Sequence, residues 1–352
     1  MLVANFLYFP LDFKRPSGTS RGILTKKEAW FVHVWDDKNP EVKGIGECSI
    51  IRGLSPDDRE NYEEKIQAVC DHINQIENYL ADELIEWPSI YFGFEMALRD
   101  LANGGKRLLF NSDFTESEAK IPINGLVWMG DKAYMQKQVQ EKIDKGFNCI
   151  KLKIGAINFQ EELEILKSIR EKFNSEQIEI RVDANGAFHP DEAMDKLKAL
   201  NKFDIHSIEQ PIKARNWDAM ANLCKETPLP IALDEELIGI YKLEDKIKLI
   251  KQIQPQYIIL KPSLLGGFKG SQEWIDIAKA EGIPWWMTSA LESNIGLNAI
   301  AQWAYTLNNP MPQGLGTGQL FTNNIESPLE VSEGYLIYNQ SKKWAVDEKL
   351  GA

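Results

Sequence analysis

Five apolar segments of the sequence end in charged residues that could carry out acid–base or metal chemistry. The charged tips are Lys153, Asp183, Glu209, Asp234 and Lys261, at successive intervals of 30, 26, 25 and 27 residues. The preceding segments are rich in β-branched residues, which is typical of strands buried on both faces of a parallel sheet. Because a βα unit takes about 30 residues, the spacing predicts that the tips lie at the same end of successive strands.

The three carboxylates in the middle of this series predict a metal site. Asp183, Glu209 and Asp234 would come from three adjacent strands, and converging carboxylates repel one another unless a cation lies between them. An all-oxygen ligand set suits a hard divalent cation, with Mg²⁺ first and Mn²⁺ second. We therefore expect a magnesium ion that leaves about three coordination positions for substrate and water.

Lysines flank the expected metal on both sides. Lys151 and Lys153 are two residues apart and would point to the same face of one strand, and Lys261 ends a later strand. Neighbouring ammonium groups and a divalent cation disfavour the protonated form, so one lysine could be a base near neutral pH. A metal bound to a substrate carboxylate would stabilise the enediolate that forms when the α-proton is removed.

The elements that position these residues are predicted to form a barrel. Apolar strands alternate with amphipathic helices from residue 121 onward, which implies parallel pairing. The predicted strands are 121–127, 148–154, 178–184, 205–209, 230–234, 257–261 and 284–288, with a short eighth at 313–316. Seven or eight such units favour a closed barrel, and no GxGxxG motif follows the first strand. We predict an α/β fold with a modified TIM-type (β/α)7β barrel.

The first 120 residues predict an α+β capping domain. Residues 1–60 have the composition of antiparallel strands, and residues 61–78 and 90–102 show helical spacing of apolar residues. Two loops rich in small and basic residues, 15–22 and 51–55, are expected to close over the barrel mouth. The predicted domains are 1–120 for the capping domain, 121–320 for the barrel, and 321–352 for a C-terminal segment that packs back on the capping domain.

Composition excludes several classes of protein. The 352 residues carry a net charge of −12, which argues against nucleic acid as a partner. No apolar run is long enough to span a bilayer and no signal-peptide pattern is present, so we predict a cytoplasmic location and no membrane partner. The four cysteines lack metal-ligand spacing and are expected to be free thiols. The expected partner is a small-molecule carboxylate substrate, and a homo-oligomer is left open.

The motifs around the charged tips resemble the enolase superfamily, in its muconate-lactonizing subgroup. The matching motifs are Lys151-Leu152-Lys153, Asp183-Ala184-Asn185-Gly186, Glu209-Gln210-Pro211, Asp234-Glu235 and Ile259-Leu260-Lys261-Pro262. The resemblance covers nearly the whole chain and includes Pro88-Ser89, which is typical of the helical half of that family's capping domain. A lysine or histidine base that works with Mg²⁺ is a known feature of the superfamily.

Within the subgroup, residues 123–128 and 288–296 are most similar to the o-succinylbenzoate synthases of menaquinone biosynthesis. The resemblance implies a lyase, a hydro-lyase that dehydrates 2-succinyl-6-hydroxy-2,4-cyclohexadiene-1-carboxylate to 2-succinylbenzoate. It implies that Lys153 removes the α-proton and then protonates the leaving hydroxide on the same face. Lys261 would stabilise the enediolate from the opposite face, with Lys151 as a helper. Asp183, Glu209 and Asp234 would hold Mg²⁺.

Several further residues are candidates for supporting the metal ligands or for binding the substrate. Asn185 and Glu235 are expected to support the metal ligands without binding the metal. Four residues near the strand tips could bind the substrate carboxylate or only shape turns, and both interpretations stay open. These residues are Ser263, Ser289, Ser293 and Asn294.

Related activities are the main alternatives. N-acylamino acid racemases, dipeptide epimerases and muconate cycloisomerases of the same subgroup use similar lysines and the same metal. Dipeptide epimerases typically carry Asp-x-Asp after the eighth strand, whereas residues 314–318 contain no carboxylate, so a substrate ammonium would lack its partner. Racemisation is not excluded in this way. A non-catalytic barrel would be expected to lose a lysine or a metal ligand, and none is missing.

Overall fold

An antiparallel N-terminal sheet with packed helices covers one end of a parallel barrel. The computed structural model describes residues 1–19 and 22–351. Its strands are β1 (Leu2–Tyr8), β2 (Leu11–Thr19), β3 (Gly22–Asp36), β4 (Asn39–Ile50), β5 (Lys120–Pro122), β6 (Gly125–Val127), β7 (Cys149–Lys153), β8 (Glu179–Asp183), β9 (Ser207–Glu209), β10 (Ile231–Leu233), β11 (Tyr257–Leu260), β12 (Trp285–Met287), β13 (Leu329–Ser332) and β14 (Tyr335–Tyr338). Its α-helices are α1 (Tyr62–Asp71), α2 (Ile76–Asn78), α3 (Pro88–Ala102), α4 (Asp113–Glu116), α5 (Lys132–Asp144), α6 (Phe159–Arg170), α7 (Pro190–Leu200), α8 (Trp217–Glu226), α9 (Leu243–Ile253), α10 (Pro262–Leu265), α11 (Gly267–Ala280), α12 (Asn294–Thr306) and α13 (Val346–Leu350).

The N-terminal sheet is built around β3, which pairs antiparallel with β1, β2 and β4. Helix α3 packs closely on β4 because glycines face each other at the contact. A Cβ added to Gly46 would lie 1.8 Å from the Gly93 carbonyl oxygen, so a side chain at residue 46 would force the two elements apart. Helix α3 is thereby fixed against the sheet that faces the barrel.

The segment 15–22, predicted as a loop, is largely a hairpin. β2 and β3 pair through Ser17 with Leu24 and Gly18 with Ile23. Residues 20 and 21 lie outside the described residues. Backbone pairing needs no apolar side chains, so the small and polar composition that indicates a loop is also compatible with a hairpin. Gly18 forms a bridge with Met129, which brings this hairpin to the barrel mouth.

The barrel consists of one curled parallel sheet. Strands β6 to β12 pair in chain order, each with the next. The two outer strands are joined through a short segment in which Gln313 bridges to Ile123 and Gly314 bridges to Thr288, both in parallel. Helices α5 to α12 connect or follow the strands. The structure therefore has the predicted (β/α)7β barrel with an α+β N-terminal domain.

Two predicted elements are divided in the structure. The strand predicted at 121–127 is β5 followed by β6, because the chain changes pairing partner between them. β5 pairs antiparallel with β14, whereas β6 pairs parallel with β7 inside the barrel. The helix predicted at 61–78 likewise separates into α1 and α2. The first division falls beside Asn124-Gly125, a pair that is typical of turns.

The C-terminal segment has two separate contacts. Its hairpin, β13 with β14, extends the sheet of β5. Farther along, Phe321, Ile325 and Val346 are buried together with Leu11 and Phe31 of the N-terminal sheet. The division of the chain into domains 1–120, 121–320 and 321–352 remains our proposal.

The helices and the cysteines of the described residues bear on membrane insertion and on disulfide formation. Within residues 1–19 and 22–351, no helix is both long enough and apolar enough to cross a membrane. Cys48, Cys70, Cys149 and Cys224 are free and buried.

Candidate active site

The charged strand tips meet at the carboxyl end of the barrel strands. β7 ends at Lys153, β8 at Asp183 and β9 at Glu209, while Asp234 and Lys261 directly follow β10 and β11. The strand register places Lys153 beside Asp183, and Asp183 beside Glu209. The structure thus brings these five side chains to one end of the barrel, in the order that the spacing predicts.

Lys153 and Lys261 lie on opposite sides of the barrel. Their strands are the second and the sixth of the parallel sheet, and the segment at residues 313–314 completes a ring of eight. Four positions out of eight is half a turn, and the three carboxylates occupy the positions between the lysines. The two lysine side chains are only 12% and 14% exposed. A molecule bound between them would have one ammonium or amine group on each face.

Lys151 and Lys153 share the carboxylate of Asp183. Lys153 Nζ donates to Asp183 Oδ2 at 2.9 Å, and Lys151 Nζ lies 3.3 Å from the same oxygen. Lys151 Nζ also donates to Glu209 Oε2 at 2.8 Å. Asp183 and Glu209 are buried, so these ion pairs lie in a region where charges interact strongly.

The remaining predicted residues complete the ring. Lys261 Nζ donates to Asp234 Oδ2. The Asn185 side chain accepts from Lys153 Nζ at 2.7 Å and donates through Nδ2 to Glu235 Oε1 at 2.9 Å. Asn185 thus connects Lys153 to Glu235, and the role of Asn185 and Glu235 in supporting the metal ligands stays a prediction.

The close charges shift several pKa values. Burial raises the pKa of a carboxyl group, but the ammonium groups of Lys153 and Lys151 outweigh it and hold the pKa of Asp183 well below its usual range. Burial lowers the pKa of Lys261, and the carboxylates of Asp234 and Glu235 outweigh that effect and raise it. The pKa of Lys151 is raised in the same way, against its burial, by Glu209 and Asp183. These shifts favour the ammonium forms of Lys151 and Lys261 in this arrangement of side chains.

A cavity of about 270 Å³ opens beside the two lysines. Its walls contain Lys153 and Lys261, residues of the first, seventh and eighth barrel positions, and residues of the N-terminal sheet. The lining residues other than Lys153 and Lys261 are Gly22, Ile23, Leu24, Ile51, Arg52, Leu54, Asn124, Leu126, Trp128, Lys151, Asp183, Asn185, Thr288, Ser289, Ala290, Leu291, Gly314, Gly316 and Thr317. Residues from both predicted closing segments are present, through Gly22 and through residues 51, 52 and 54.

Only one of the four serine and asparagine candidates for substrate binding lines this cavity. Ser289 does so, and its hydroxyl is 2.6 Å from that of Thr317. The Ser263 hydroxyl donates to Glu292 at 2.5 Å. Ser293 is the N-cap of α12 and donates to Glu47, and Asn294 donates to the Ile325 carbonyl oxygen. Ser263, Ser293 and Asn294 thus have structural partners away from the cavity wall.

Sequence reasoning missed the first barrel strand as a wall of the cavity. Asn124, Leu126 and Trp128 line it, and their spacing of two places them on one face of the strand. That alternation is visible in the sequence and could have identified them. Arg52, in the predicted closing segment 51–55, also lines the cavity and is held by ion pairs with Glu28 and Asp58.

The three carboxylates fit a hard divalent cation by their chemistry. Glu209 Oε1 is buried and has no hydrogen-bond partner, and such an oxygen is costly unless a donor or a cation meets it. As the side chains lie, no three carboxylate, imidazole or thiol groups among the described residues have the arrangement of a metal site. Each carboxylate is hydrogen-bonded to a lysine instead. Rotation of these side chains would be needed for Asp183, Glu209 and Asp234 to bind one ion.

Comparisons with known proteins agree with this geometry. Residues 134–342 match the family model described as enolase C-terminal domain-like. The chain is 48% identical to the o-succinylbenzoate synthase of Desulfotalea psychrophila over 357 residues, covering 93% of this chain and 96% of the relative. The crystal structure of MenC from the same organism matches with a TM-score of 0.85 and 43% identity, covering 96% of this chain and 99% of that one. An N-succinylamino acid racemase from Amycolatopsis is 30% identical over 195 residues, which cover 55% of this chain and 51% of the relative. The chain therefore belongs to the enolase superfamily and, within it, to the o-succinylbenzoate synthase family.

Proposed function

We propose that the protein is an o-succinylbenzoate synthase of menaquinone biosynthesis. It is a lyase that removes water from 2-succinyl-6-hydroxy-2,4-cyclohexadiene-1-carboxylate and forms 2-succinylbenzoate. The observation that carries this proposal is the placement of Lys153 and Lys261 across one cavity, beside three buried carboxylates. The 48% identity to a curated enzyme of this activity supports the same assignment.

We propose that the divalent metal of this superfamily is Mg²⁺ here, with Mn²⁺ as a substitute. Asp183, Glu209 and Asp234 would hold it, since they are the buried carboxylates between the two lysines. When bound, the ion would supply positive charge to the substrate carboxylate while the adjacent carbon loses its proton. The lysines now paired with these carboxylates would be released toward the cavity when the carboxylate side chains rotate to bind the ion.

Lys153 carries both proton transfers. Its unprotonated Nζ takes the proton from the carbon that bears the carboxylate, which leaves the electron pair on the substrate. The resulting Lys153 ammonium then gives that proton to the hydroxyl group on the neighbouring carbon, and the C–O bond breaks to release water. Asn185 accepts from Lys153 Nζ at 2.7 Å and so helps to orient it. One group suffices because both transfers occur on one face.

Lys261 and Lys151 act by charge. We propose that both work as ammonium groups, and the carboxylates that surround them here raise their pKa values against their burial. Lys261 lies half a turn from Lys153 and would face the opposite side of the substrate, where positive charge stabilises the electron-rich intermediate. Lys151 lies between Asp183 and Glu209 and holds both carboxylates in place.

The rest of the cavity suits a substrate without an ammonium group. Gly314, Gly316 and Thr317 form the wall at the eighth barrel position. Asp183 is the one carboxylate among the described residues that line the cavity. An amino group buried there would lack the pairing that it needs. Leu126 and Trp128 offer an apolar surface to the cyclohexadiene ring, and Ser289 remains our candidate for a substrate carboxylate contact.

A substrate panel tests the proposed activity. The purified protein with Mg²⁺ would be offered the cyclohexadiene acid, a set of dipeptides and a set of N-succinyl amino acids. We expect conversion of the acid to 2-succinylbenzoate and no epimerisation of dipeptides. Turnover of dipeptides without dehydration would refute the proposal, and racemisation at a rate similar to dehydration would add a second activity.

We also propose a cytoplasmic location and a small-molecule carboxylate as the only class of substrate. The net charge of −12 argues against a nucleic-acid partner. A homo-oligomer is compatible with the fold, and size-exclusion chromatography with light scattering would determine the state.

A further inference from the structure

The loop that follows β12 lines the cavity but is held in place by the N-terminal sheet. Ser289, Ala290 and Leu291 belong to this loop and line the cavity. Two charged side chains from the sheet reach it, Lys27 from β3 and Glu47 from β4, and both are buried. Charged residues are rarely buried without partners, so each of these contacts indicates a specific requirement of the fold.

The peptide groups on either side of Ala290 are held by two side chains. Lys27 Nζ donates to the Ala290 carbonyl oxygen at 2.8 Å, and the Ala290 N–H donates to Glu292 Oε2 at 2.7 Å. Glu292 is fully buried and accepts a further hydrogen bond from Ser263. Burial lowers the pKa of Lys27, and Glu292 and Glu47 oppose that shift. Lys27 Nζ can donate this hydrogen bond in either protonation state.

Leu291, the next residue, has an unfavourable backbone conformation. Its φ is 63°, in the left-handed region that bulky residues rarely adopt. Such a conformation is strained and persists only where the surroundings fix it. The surroundings here are the Ala290 contacts on one side and Ser293 on the other. The Ser293 N–H and hydroxyl both donate to Glu47.

We propose that Lys27 is a positioning residue that holds Leu291 in its left-handed conformation and so shapes the wall against which the substrate ring binds. The inference rests on the proposed function, because the ring belongs to the cyclohexadiene acid. Lys27 itself is absent from the cavity wall, and Leu291 is half-buried in that wall. The N-terminal sheet thus contributes to substrate specificity through the buried hydrogen bond between Lys27 and the barrel loop.

Substitution of Lys27 separates this role from a purely structural one. Lys27→Met keeps the length of the side chain and removes the donor. We expect KM for the acid to rise about tenfold with kcat nearly unchanged. The loss of one buried hydrogen bond changes an equilibrium constant by about tenfold, and the equilibrium here is the one that keeps Leu291 in the cavity wall. A purely structural role would instead lower the active fraction, and therefore kcat, at an unchanged KM. Lys26→Met is the matched control, because Lys26 is the adjacent residue and its side chain is 66% exposed.

A double-mutant cycle with Leu291→Ala tests the route of the effect. If Lys27 acts through Leu291, Lys27→Met adds little to the rise in KM already caused by Leu291→Ala. Additive effects on KM, or a fall in kcat alone, would overturn the proposal. If Lys27→Met does not fold, Glu292→Gln carries the test by the same criteria, because it weakens the other contact of Ala290. A wild-type protein that fails to dehydrate the acid would count against the proposed function rather than against the role of Lys27.

Discussion

Glu95 provides a pH-dependent test of how the N-terminal helix α3 is attached to the barrel. Its carboxylate accepts hydrogen bonds from the backbone N–H groups of Phe268 at 2.6 Å and Lys269 at 3.3 Å, at the start of α11. Burial raises the pKa of Glu95 from 4.5 to about 7, against these hydrogen bonds and against Arg99. The substitution Glu95→Gln keeps an oxygen acceptor and removes the charge. It therefore imitates the protonated form that the folded protein prefers.

The size and the sign of the effect follow from linkage. Below pH 4.5 the Glu95 carboxyl is protonated in both the folded and the unfolded chain, and it adds no pH dependence. Between pH 4.5 and about 7 only the unfolded chain loses the proton, so the free energy of unfolding falls as pH rises. A difference of about 2.5 pKa units at 1.36 kcal/mol each corresponds to about 3 kcal/mol. This contribution to stability is present below pH 4.5 and is lost above about pH 7.

Denaturant unfolding of both proteins from pH 4.5 to 8 measures this contribution. We expect Glu95→Gln to match the wild type at pH 4.5 and to exceed its free energy of unfolding by about 3 kcal/mol at pH 8. Glu64→Gln, on the exposed face of α1, controls for the loss of one negative charge. If the difference between Glu95→Gln and the wild type is the same at every pH, or if the wild type gains stability relative to the variant as pH rises, the folded protein does not favour the protonated carboxyl group. The burial argument would then be wrong.

Three further predictions concern the metal ligands, a glycine contact and the second lysine. Exhaustive chelation should abolish dehydration and added Mg²⁺ should restore it. Asp183→Asn should remove activity while the circular dichroism spectrum stays unchanged. Turnover after chelation would contradict the metal requirement. Gly267→Ala should lower the free energy of unfolding by about 2 kcal/mol more than Gly282→Ala. Both glycines have φ of 70°, but an added Cβ meets a carboxylate oxygen at 2.2 Å only at Gly267, so equal losses would argue against a steric cause. Lys261→Met should lower kcat for dehydration. In D₂O the wild type should exchange the α-proton of only one enantiomer of an N-succinyl amino acid, as measured by NMR. Equal exchange from both enantiomers would favour a two-base racemase.

The barrel and its charged end could be predicted from the sequence because their signals are local. Each buried strand is an apolar run, and Lys153, Asp183 and Lys261 follow such runs at the period of one βα unit. The division of the segment 121–127 into β5 and β6 could not be predicted in this way. Pro122, Asn124 and Gly125 interrupt the apolar residues of this segment, but the change of partner depends on pairing with β14, more than 200 residues later, which the local sequence does not specify.

The limits of prediction at the site have a similar cause. Ser263 and Ser293 have residue types and positions that suit substrate binding, but their hydrogen bonds go to Glu292 and Glu47. Lys27 lies in a charged run of the sequence that indicates an exposed strand, yet its side chain is buried against a barrel loop. These roles depend on how the N-terminal sheet packs on the barrel, and neither periodicity nor spacing encodes that contact.

The central claim is that Lys153 moves the proton in both halves of the dehydration. The most direct test is the rate of 2-succinylbenzoate formation by Lys153→Met with saturating Mg²⁺, compared with the wild type and with the control Lys167→Met, which changes a lysine on α6 whose side chain is 68% exposed. A general base contributes about 10²–10⁴-fold, so we predict that kcat falls by at least about 100-fold in Lys153→Met while the fold and the control's activity are retained. A folded Lys153→Met protein that keeps kcat within tenfold of the wild type would contradict the account.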